Sequence, residues 1–241
     1  GWMGTQHKRY IRYLAARLGA LPGWTLAPGY DLEEWLTDTK AGDWADELHK
    51  YLGWEHMVCA RRITNSSLDF LSYSYLGHDY GDATSHLDAD VNRPHFAGER
   101  DLYLRDDFDW GGFPNGLISM DQTRRQMWQF AMAGGYGGSW GRLWDDGDYY
   151  PNPEQLIAHS KFWKDRFVLG LARANSRITT GTALATADKK NFVFYREGAS
   201  SMTIDLTGIT GTLQVIAVDT KKTYKEIDLG SLAAGKHTID L

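Results

Sequence analysis

Hydrophobic positions follow two different periods along the chain, and the change between them falls near residue 176. Before that point, long stretches with apolar residues three or four positions apart alternate with short apolar runs. Residues 5–19 are typical of the long stretches, because Tyr10, Leu14 and Leu18 would share one face of a helix. After that point, apolar and polar residues alternate with a period of two. The first part therefore predicts mixed helices and strands, and the second part predicts strands alone.

Five short apolar runs in the first part predict β-strands, and stretches with helical spacing lie between them. The runs are residues 24–31, 56–61, 68–75, 94–99 and 136–140. The predicted helices are residues 5–19, 43–52, 83–92, 122–134 and 153–174. Such alternation is typical of an α/β fold with a parallel sheet or a (β/α)₈ barrel of the TIM type.

The number of predicted strands is too small for a closed barrel, which needs eight. The order begins on a helix and corresponds to the last five βα units of such a barrel. We therefore expect a fragment, or a barrel half completed by a second polypeptide or by self-association into a homo-oligomer.

The final part of the chain contains short runs of alternating polarity separated by glycine-containing turn signals. The runs are residues 191–197, 201–207, 212–219, 223–228 and 236–241. This spacing predicts a small antiparallel β-sandwich. We accordingly predict two domains, with a barrel part over residues 1–175 and a β-sandwich over residues 176–241.

Composition excludes several classes of partner and leaves two uses for the aromatic residues. The 241 residues carry a net charge of -5 without a basic run, so nucleic acid is not an expected partner. No apolar run reaches the roughly 18 residues that a membrane-spanning helix needs. The single Cys59 excludes an internal disulfide. The ten Trp and thirteen Tyr residues could build an aromatic core or line a carbohydrate cleft.

A carboxylate at the end of an apolar run is the strongest chemical signal. Glu99 ends the run 94–99, and Asp31 ends the run 24–31 in the same way. Enzymes built on (β/α) barrels present catalytic groups at the carboxyl ends of their strands. Cleavage of a glycosidic bond needs two carboxyl groups, about 5–5.5 Å apart in retaining enzymes and about 6.5–9.5 Å apart in inverting ones. The alternative is that each is a solvated carboxylate at a strand end.

Several stretches together resemble a family of glycoside hydrolases that joins an apiosidase-like (DUF4038) barrel to a small C-terminal β domain named for collagen binding. The stretches are residues 10–20, 24–31, 96–99, 124–141 and 192–219. The resemblance implies that Asp31 is the acid/base and Glu99 the nucleophile of a retaining glycosidase. Where many related barrels carry Asn-Glu, this chain has Tyr30-Asp31, and Glu33 and Glu34 lie close enough to compete for the role.

Residues near the two carboxylates are candidates for substrate binding. They are Tyr30, Glu33, Arg100, Tyr136 and Trp140. Tyr136 and Trp140 could stack on a sugar ring or could instead pack inside the barrel. Arg100 could bind sugar hydroxyls or an acidic sugar, although a surface position is the alternative.

The remaining polar residues are expected to have structural roles and no part in catalysis. Arg124 and Arg125 lie in a predicted helix and should pair with acids. The His and Asp residues between positions 78 and 90 fit no standard zinc or EF-hand spacing, so we expect no metal and no cofactor. Cys59 is expected to be a small buried apolar residue.

The sequence thus predicts a glycoside hydrolase acting on a plant or algal oligo- or polysaccharide. We expect it to be secreted, periplasmic or at the cell surface of a bacterium. A non-catalytic carbohydrate-binding protein and an adhesion fragment remain the alternatives.

Overall fold

The computed structural model describes residues 1–29, 32–74, 79–99, 119–136 and 152–241. The chain divides into two compact units. The first unit comprises Gly1–Leu76, Asp88–Arg100 and Tyr136–Trp140. The second unit comprises Gly77–Leu87, Asp101–Gly135 and Gly141–Leu241.

In its described residues, the first unit contains three helices and a parallel strand pair. The helices are α1 (Thr5–Leu18), α2 (Leu32–Trp35) and α3 (Asp38–His49), and the strands are β1 (Leu71–Ser74) and β2 (His95–Glu99). The side chain of Thr37 caps α3 by accepting a hydrogen bond from the Lys40 amide at 3.3 Å.

The five apolar runs predicted as strands pair in chain order, and every pairing is parallel. Strands β1 and β2 form a parallel ladder. Single parallel bridges join the other runs: Leu26 with Val58, Arg61 with Ser72, and Phe96 with Tyr136. The parallel arrangement predicted from the sequence is therefore confirmed. The described residues form no closed barrel, so the barrel type stays a prediction.

The alternation of side chains across these strands separates an apolar face from a more polar one. Val58 and Ala60 are fully buried in a cluster with residues of α1 and α3, including Ile11 and Leu48. Because neighbouring side chains of a strand point to opposite faces, Cys59 and Arg61 lie on the face away from these helices.

The second unit combines helices with an antiparallel β region. Its helices are α4 (Tyr80–Ala89), most of which belongs to this unit, α5 (Met120–Met132) and α6 (Pro153–Arg166). Its strands are β3 (Ala172–Arg173), β4 (Thr182–Ala185), β5 (Phe192–Tyr195), β6 (Ser201–Asp205), β7 (Thr212–Ala217), β8 (Ile227–Ala233) and β9 (Lys236–Asp240). They pair as β3–β4–β5, β6–β9 and β7–β8, and all these pairings are antiparallel. The predicted antiparallel pairing of this region is confirmed.

Several predicted boundaries are wrong, and two of them show why. The helix predicted over residues 153–174 ends at Arg166, because Phe167 is extended and Gly170 has a φ of 89°. The strand predicted over residues 223–228, with a glycine-containing turn after it, is found instead as β8 at Ile227–Ala233, which includes Gly230. Glycine tolerates the φ of 81° found there, next to a register shift in the β7–β8 pair.

Residues from both sides of position 175 pack together in the second unit. The ring of Trp128 in α5 stacks on Tyr195 of β5 with centroids 5.6 Å apart, and Met132 and Leu184 belong to the same buried cluster. The domain boundary at residues 175/176 stays a prediction. None of the helices in the described ranges is long and apolar enough to cross a bilayer.

Candidate active site at the ends of the parallel strands

The residues predicted for the site fall into three groups. Tyr30, Asp31, Arg100 and Trp140 lie outside the described residues. Glu99 is the last residue of β2, where its backbone pairs with Ser74, and its side chain lies outside the description. Glu33 and Tyr136 are described in full.

The register of the parallel strands places Glu99 at the carboxyl edge. Arg61, Ser72, Phe96 and Tyr136 form one row across the strands, each opposite the next. Glu99 follows Phe96 by three positions along β2, in the direction of the carboxyl end. It lies just after the register shift in the β1–β2 ladder. Glu99 is the last residue of β2 in the described range, and the role of its carboxylate stays a prediction.

An ion pair between Glu33 and Arg61 occupies the same edge. The Arg61 Nε lies 3.3 Å from the Glu33 Oε1, with the side chains 12% and 22% exposed, respectively. The other carboxylate oxygen of Glu33, Oε2, is buried and has no hydrogen-bond partner among the described residues. An unpaired buried acceptor costs about 1–3 kcal/mol, so Oε2 is suited to accept a hydrogen bond from a ligand hydroxyl.

Sequence analysis did not single out Arg61. The available signal was its position, because it ends the second apolar run as Asp31 and Glu99 end theirs. The following residue, Arg62, has a φ of 54°, and its amide donates to the Ser72 carbonyl at 2.9 Å. A left-handed conformation is uncommon for a residue other than glycine, and in this chain Met3 and Lys189 adopt it as well.

Aromatic rings line the row below this edge. The centroid of the Tyr136 ring lies 5.5 Å from that of Phe96 and 6.4 Å from that of Phe70. Tyr136 is nevertheless 43% exposed. Burial of the remainder, together with the nearby Cys59, raises the pKa of the Tyr136 hydroxyl. One part of the Tyr136 ring thus packs against Phe96 and Phe70, and another part is exposed to solvent.

Cys59 lies on the same face of the parallel strands, and its thiol is unreactive. It is buried, and burial raises the pKa of its thiol to about 12, with a smaller opposing effect from a hydrogen bond with Ser72. The thiol is therefore neutral near pH 7 and is not a nucleophile. The prediction of a small buried residue is confirmed.

The two helical arginines pair with carboxylates as predicted. Arg124 contacts Asp121 and Glu197, and Arg125 contacts the same two acids. Among the described residues, no group of three His, Cys, Asp or Glu side chains is placed to hold a metal ion.

Comparison with known proteins finds likeness at the level of structure. No family model matches the chain, and no curated protein matches it. One matching solved structure is a glycoside hydrolase, with a TM-score of 0.71 and 17% identity over 98% of this chain and 65% of that one. Another, described as a "putative glycoside hydrolase" from Bacteroides vulgatus ATCC 8482, has a TM-score of 0.55 and 11% identity over 92% of this chain and 44% of that one.

The chain therefore spans less than two thirds of either matching structure. At these identities the likeness concerns the fold alone. The apiosidase-like family and the collagen-binding name of the C-terminal module are not shown by these matches. The protein has a glycoside hydrolase-like fold.

Proposed function

We propose that the protein is a glycoside hydrolase that cleaves a plant or algal oligo- or polysaccharide with two carboxyl groups and retention of configuration. The observation that carries the proposal is the position of Glu99 at the carboxyl end of β2, in a fold like that of glycoside hydrolases. In folds with parallel strands and following helices, this edge is where catalytic groups are presented.

The proposed mechanism gives each carboxyl group one role in each step. The ionised Glu99 attacks the anomeric carbon while the protonated Asp31 donates its proton to the leaving glycosidic oxygen. The resulting glycosyl-enzyme ester is hydrolysed by a water molecule, from which Asp31 now removes a proton. This exchange restores both groups to their starting states.

The described side chains suit the binding of a sugar at this edge. The buried Oε2 of Glu33, which has no partner in the described part of the chain, can accept a hydrogen bond from a sugar hydroxyl. The exposed part of the Tyr136 ring can stack on the apolar face of a pyranose. We propose the same binding role for Tyr30, Arg100 and Trp140.

We further propose that the parallel sheet gains strands from a second polypeptide or a second copy of this chain. The Leu26 backbone donates to Met57 and accepts from Cys59, and no described strand pairs with its other side. An unpaired strand edge invites addition of another strand. Light scattering that showed a well-folded lone monomer would contradict this proposal. A secreted, periplasmic or cell-surface location in a bacterium also remains a proposal.

An activity screen tests the proposed function. The protein should release reducing ends from at least one member of a panel of plant and algal oligosaccharides, with binding to the same panel measured in parallel. Binding without turnover would favour the non-catalytic carbohydrate-binding alternative. Neither binding nor turnover across the panel would contradict both.

A further inference from the structure

A cavity of about 1110 Å³ lies in the β region of the second unit. Residues 190–200, which include β5, and residues 213–223, which include most of β7, line it in unbroken succession. Because neighbouring side chains of a strand point to opposite faces, a strand that contributes every residue presents its edge to the cavity and not one face. The cavity therefore runs between an edge of β5 and an edge of β7.

Neither of these edges is paired within the described residues. Strand β5 pairs only with β4, and β7 pairs only with β8. In β4, the Ala183 amide donates to the Asn175 side chain and its carbonyl accepts from the Ala174 amide, so both groups face away from β5. Ala183 lies opposite Phe194 of β5. Residues opposite each other in an antiparallel pair either exchange both hydrogen bonds or neither, so the amide and carbonyl of Phe194, and those of Phe192 two positions before it, point to the free edge.

We propose that this cavity binds an extended peptide that adds a strand between β5 and β7 and that is apolar in its middle and acidic at both ends. In this mode of recognition, main-chain hydrogen bonds to an unpaired edge supply affinity, and pockets for alternate side chains supply specificity. The inference uses residues of the second unit alone. It is therefore independent of the proposed glycosidase activity.

The side chains of β5 favour an apolar middle of the peptide. On one face, the rings of Phe192 and Phe194 stack with centroids 5.8 Å apart and are only partly buried. Leu213 of β7 is a partly buried member of the same cluster. On the other face, Val193 is partly buried against the cluster that contains Trp128. Alternate side chains of an inserted strand would cover both surfaces.

Cations flank β5 at both ends. Lys190 precedes the strand, with its side chain 77% exposed and its Nζ 3.9 Å from an Asp188 carboxylate oxygen. Arg196 follows the strand and donates to the Ser201 carbonyl at 2.8 Å, and no described acid pairs with it. The two cations are six positions apart, which corresponds to about 20 Å in an extended strand. Acidic residues with this spacing in a bound strand would reach both cations in either chain direction.

The acidic residues of the lining do not offset these cations. Glu197 bonds to Arg124 through both carboxylate oxygens, and Asp219 lies 3.0 Å from Lys222. Lys225 also lines the cavity and forms no ion pair with a described residue. The cavity thus keeps an excess of positive charge in a chain whose net charge is -5. Electrostatic complementarity therefore favours an acidic peptide.

Titration of labelled peptides, followed by fluorescence anisotropy at low ionic strength, tests the site. The probe is a capped peptide of alternating Val and Ser with a Glu at each end, six positions apart. Wild type should bind it saturably. The same peptide with Lys at both ends, and one N-methylated at every second residue to remove the donors of one edge, should each bind at least about tenfold more weakly.

Charge reversal in the protein locates the site. Arg196→Glu and Lys190→Glu should each weaken binding of the Glu-ended peptide about 2- to 10-fold and shift the preference towards the Lys-ended one. Lys161→Glu, at an exposed position outside the cavity lining, is the control and should match wild type. Circular dichroism checks the fold of each variant. The highly exposed Lys190 keeps the test decisive if Arg196→Glu fails to fold.

Four results would overturn the proposal. The first is the absence of saturable binding of the Glu-ended peptide to wild type up to about 1 mM. The second is equal affinity for the N-methylated peptide, which would exclude strand addition. The third is an equal loss in Lys161→Glu, which would exclude the site. The fourth is self-association in ultracentrifugation that Lys190→Glu abolishes, because the occupant would then be a second copy of this chain.

Discussion

Glu33 and Arg61 form an ion pair in which Arg61 contacts one of the two carboxylate oxygens of Glu33. Oε1 lies 3.3 Å from the Arg61 Nε, whereas Oε2 is buried and no described residue forms a hydrogen bond with it. The two residues belong to different elements that meet at the carboxyl edge of the parallel strands. The pair therefore fixes α2 against this edge and presents an unused acceptor there.

Replacing Glu33 should weaken both sugar binding and folding. Glu33→Gln keeps the shape of the side chain but removes the charge that holds Arg61, so we expect a stability loss of about 1–3 kcal/mol in urea unfolding. Affinity for the best oligosaccharide should fall at least about tenfold, because an amide is a weaker acceptor than a carboxylate. Glu34→Gln, an exposed neighbour, is the control and should change neither quantity. Unaltered affinity in Glu33→Gln would remove this residue from the binding site.

Arg124 should be the most sensitive charged residue of the second unit. Its side chain is 1% exposed, and its two Nη atoms bond to the two carboxylate oxygens of Glu197 at 2.6 and 2.8 Å. Breaking a buried pair by removing one partner costs about 3–5 kcal/mol, so Arg124→Met should lower the free energy of unfolding by this amount. Arg125 contacts the same two carboxylates but is 46% exposed, so Arg125→Met should cost no more than about 1 kcal/mol. Equal losses in chemical denaturation would contradict this account.

His159 should make the stability of the protein depend on pH. Burial lowers the pKa of its ring to about 4, and a backbone hydrogen bond to Met127 offsets only part of this effect. Since the unfolded chain takes up a proton near pH 6.5 and the folded chain does not, stability is complete above that pH. It should fall by up to about 3 kcal/mol as the pH drops from about 6.5 to 4.

The variant His159→Phe isolates this effect. It keeps an aromatic ring in the α5–α6 contact but cannot titrate, so its unfolding free energy should change less between pH 6.5 and 5 than that of wild type. Below about pH 5, carboxyl groups whose pKa is lowered, such as Glu197, add a slope in both proteins. His7→Gln, at an exposed position, should keep that slope. A slope in His159→Phe as steep as in wild type would assign the dependence to other groups.

Cys59 should resist modification as long as the protein is folded. Its thiol is buried and its pKa is raised to about 12, so very little thiolate is present at pH 8. The reagent DTNB should label the native protein slowly and the denatured protein at once. Rapid labelling under native conditions would show that this face of the sheet opens.

The sequence predicted pairing direction well because that depends on local patterns. Helical stretches alternating with short apolar runs indicated the parallel strands of the first part. A period of two in polarity indicated the antiparallel strands of the second part. The hydrophobic patterns failed at positions where backbone dihedral angles determine whether a helix or strand ends. The predicted helix over residues 153–174 stops at Arg166, and β8 continues through Gly230, where apolar spacing carries no information about φ.

The site was only partly predictable for a related reason. Glu33 was selected because it follows the first run, but its partner Arg61 is distant in sequence and is brought to it by the parallel bridge pattern. Strand ends could be marked from the sequence, whereas the contacts made across them could not.

The kinetics of Glu99→Gln test the central claim most directly. The change is nearly isosteric but removes the charge needed for attack on the anomeric carbon. The variant should keep the fold and bind oligosaccharide yet lose turnover of both an activated aryl glycoside and a natural oligosaccharide. Asp31→Asn, measured beside it, should be about 10²- to 10⁴-fold slower on the natural substrate and less impaired on the aryl glycoside, whose leaving group needs little acid assistance. Turnover by Glu99→Gln at close to the wild-type rate on either substrate would contradict the assignment of this carboxylate as the nucleophile.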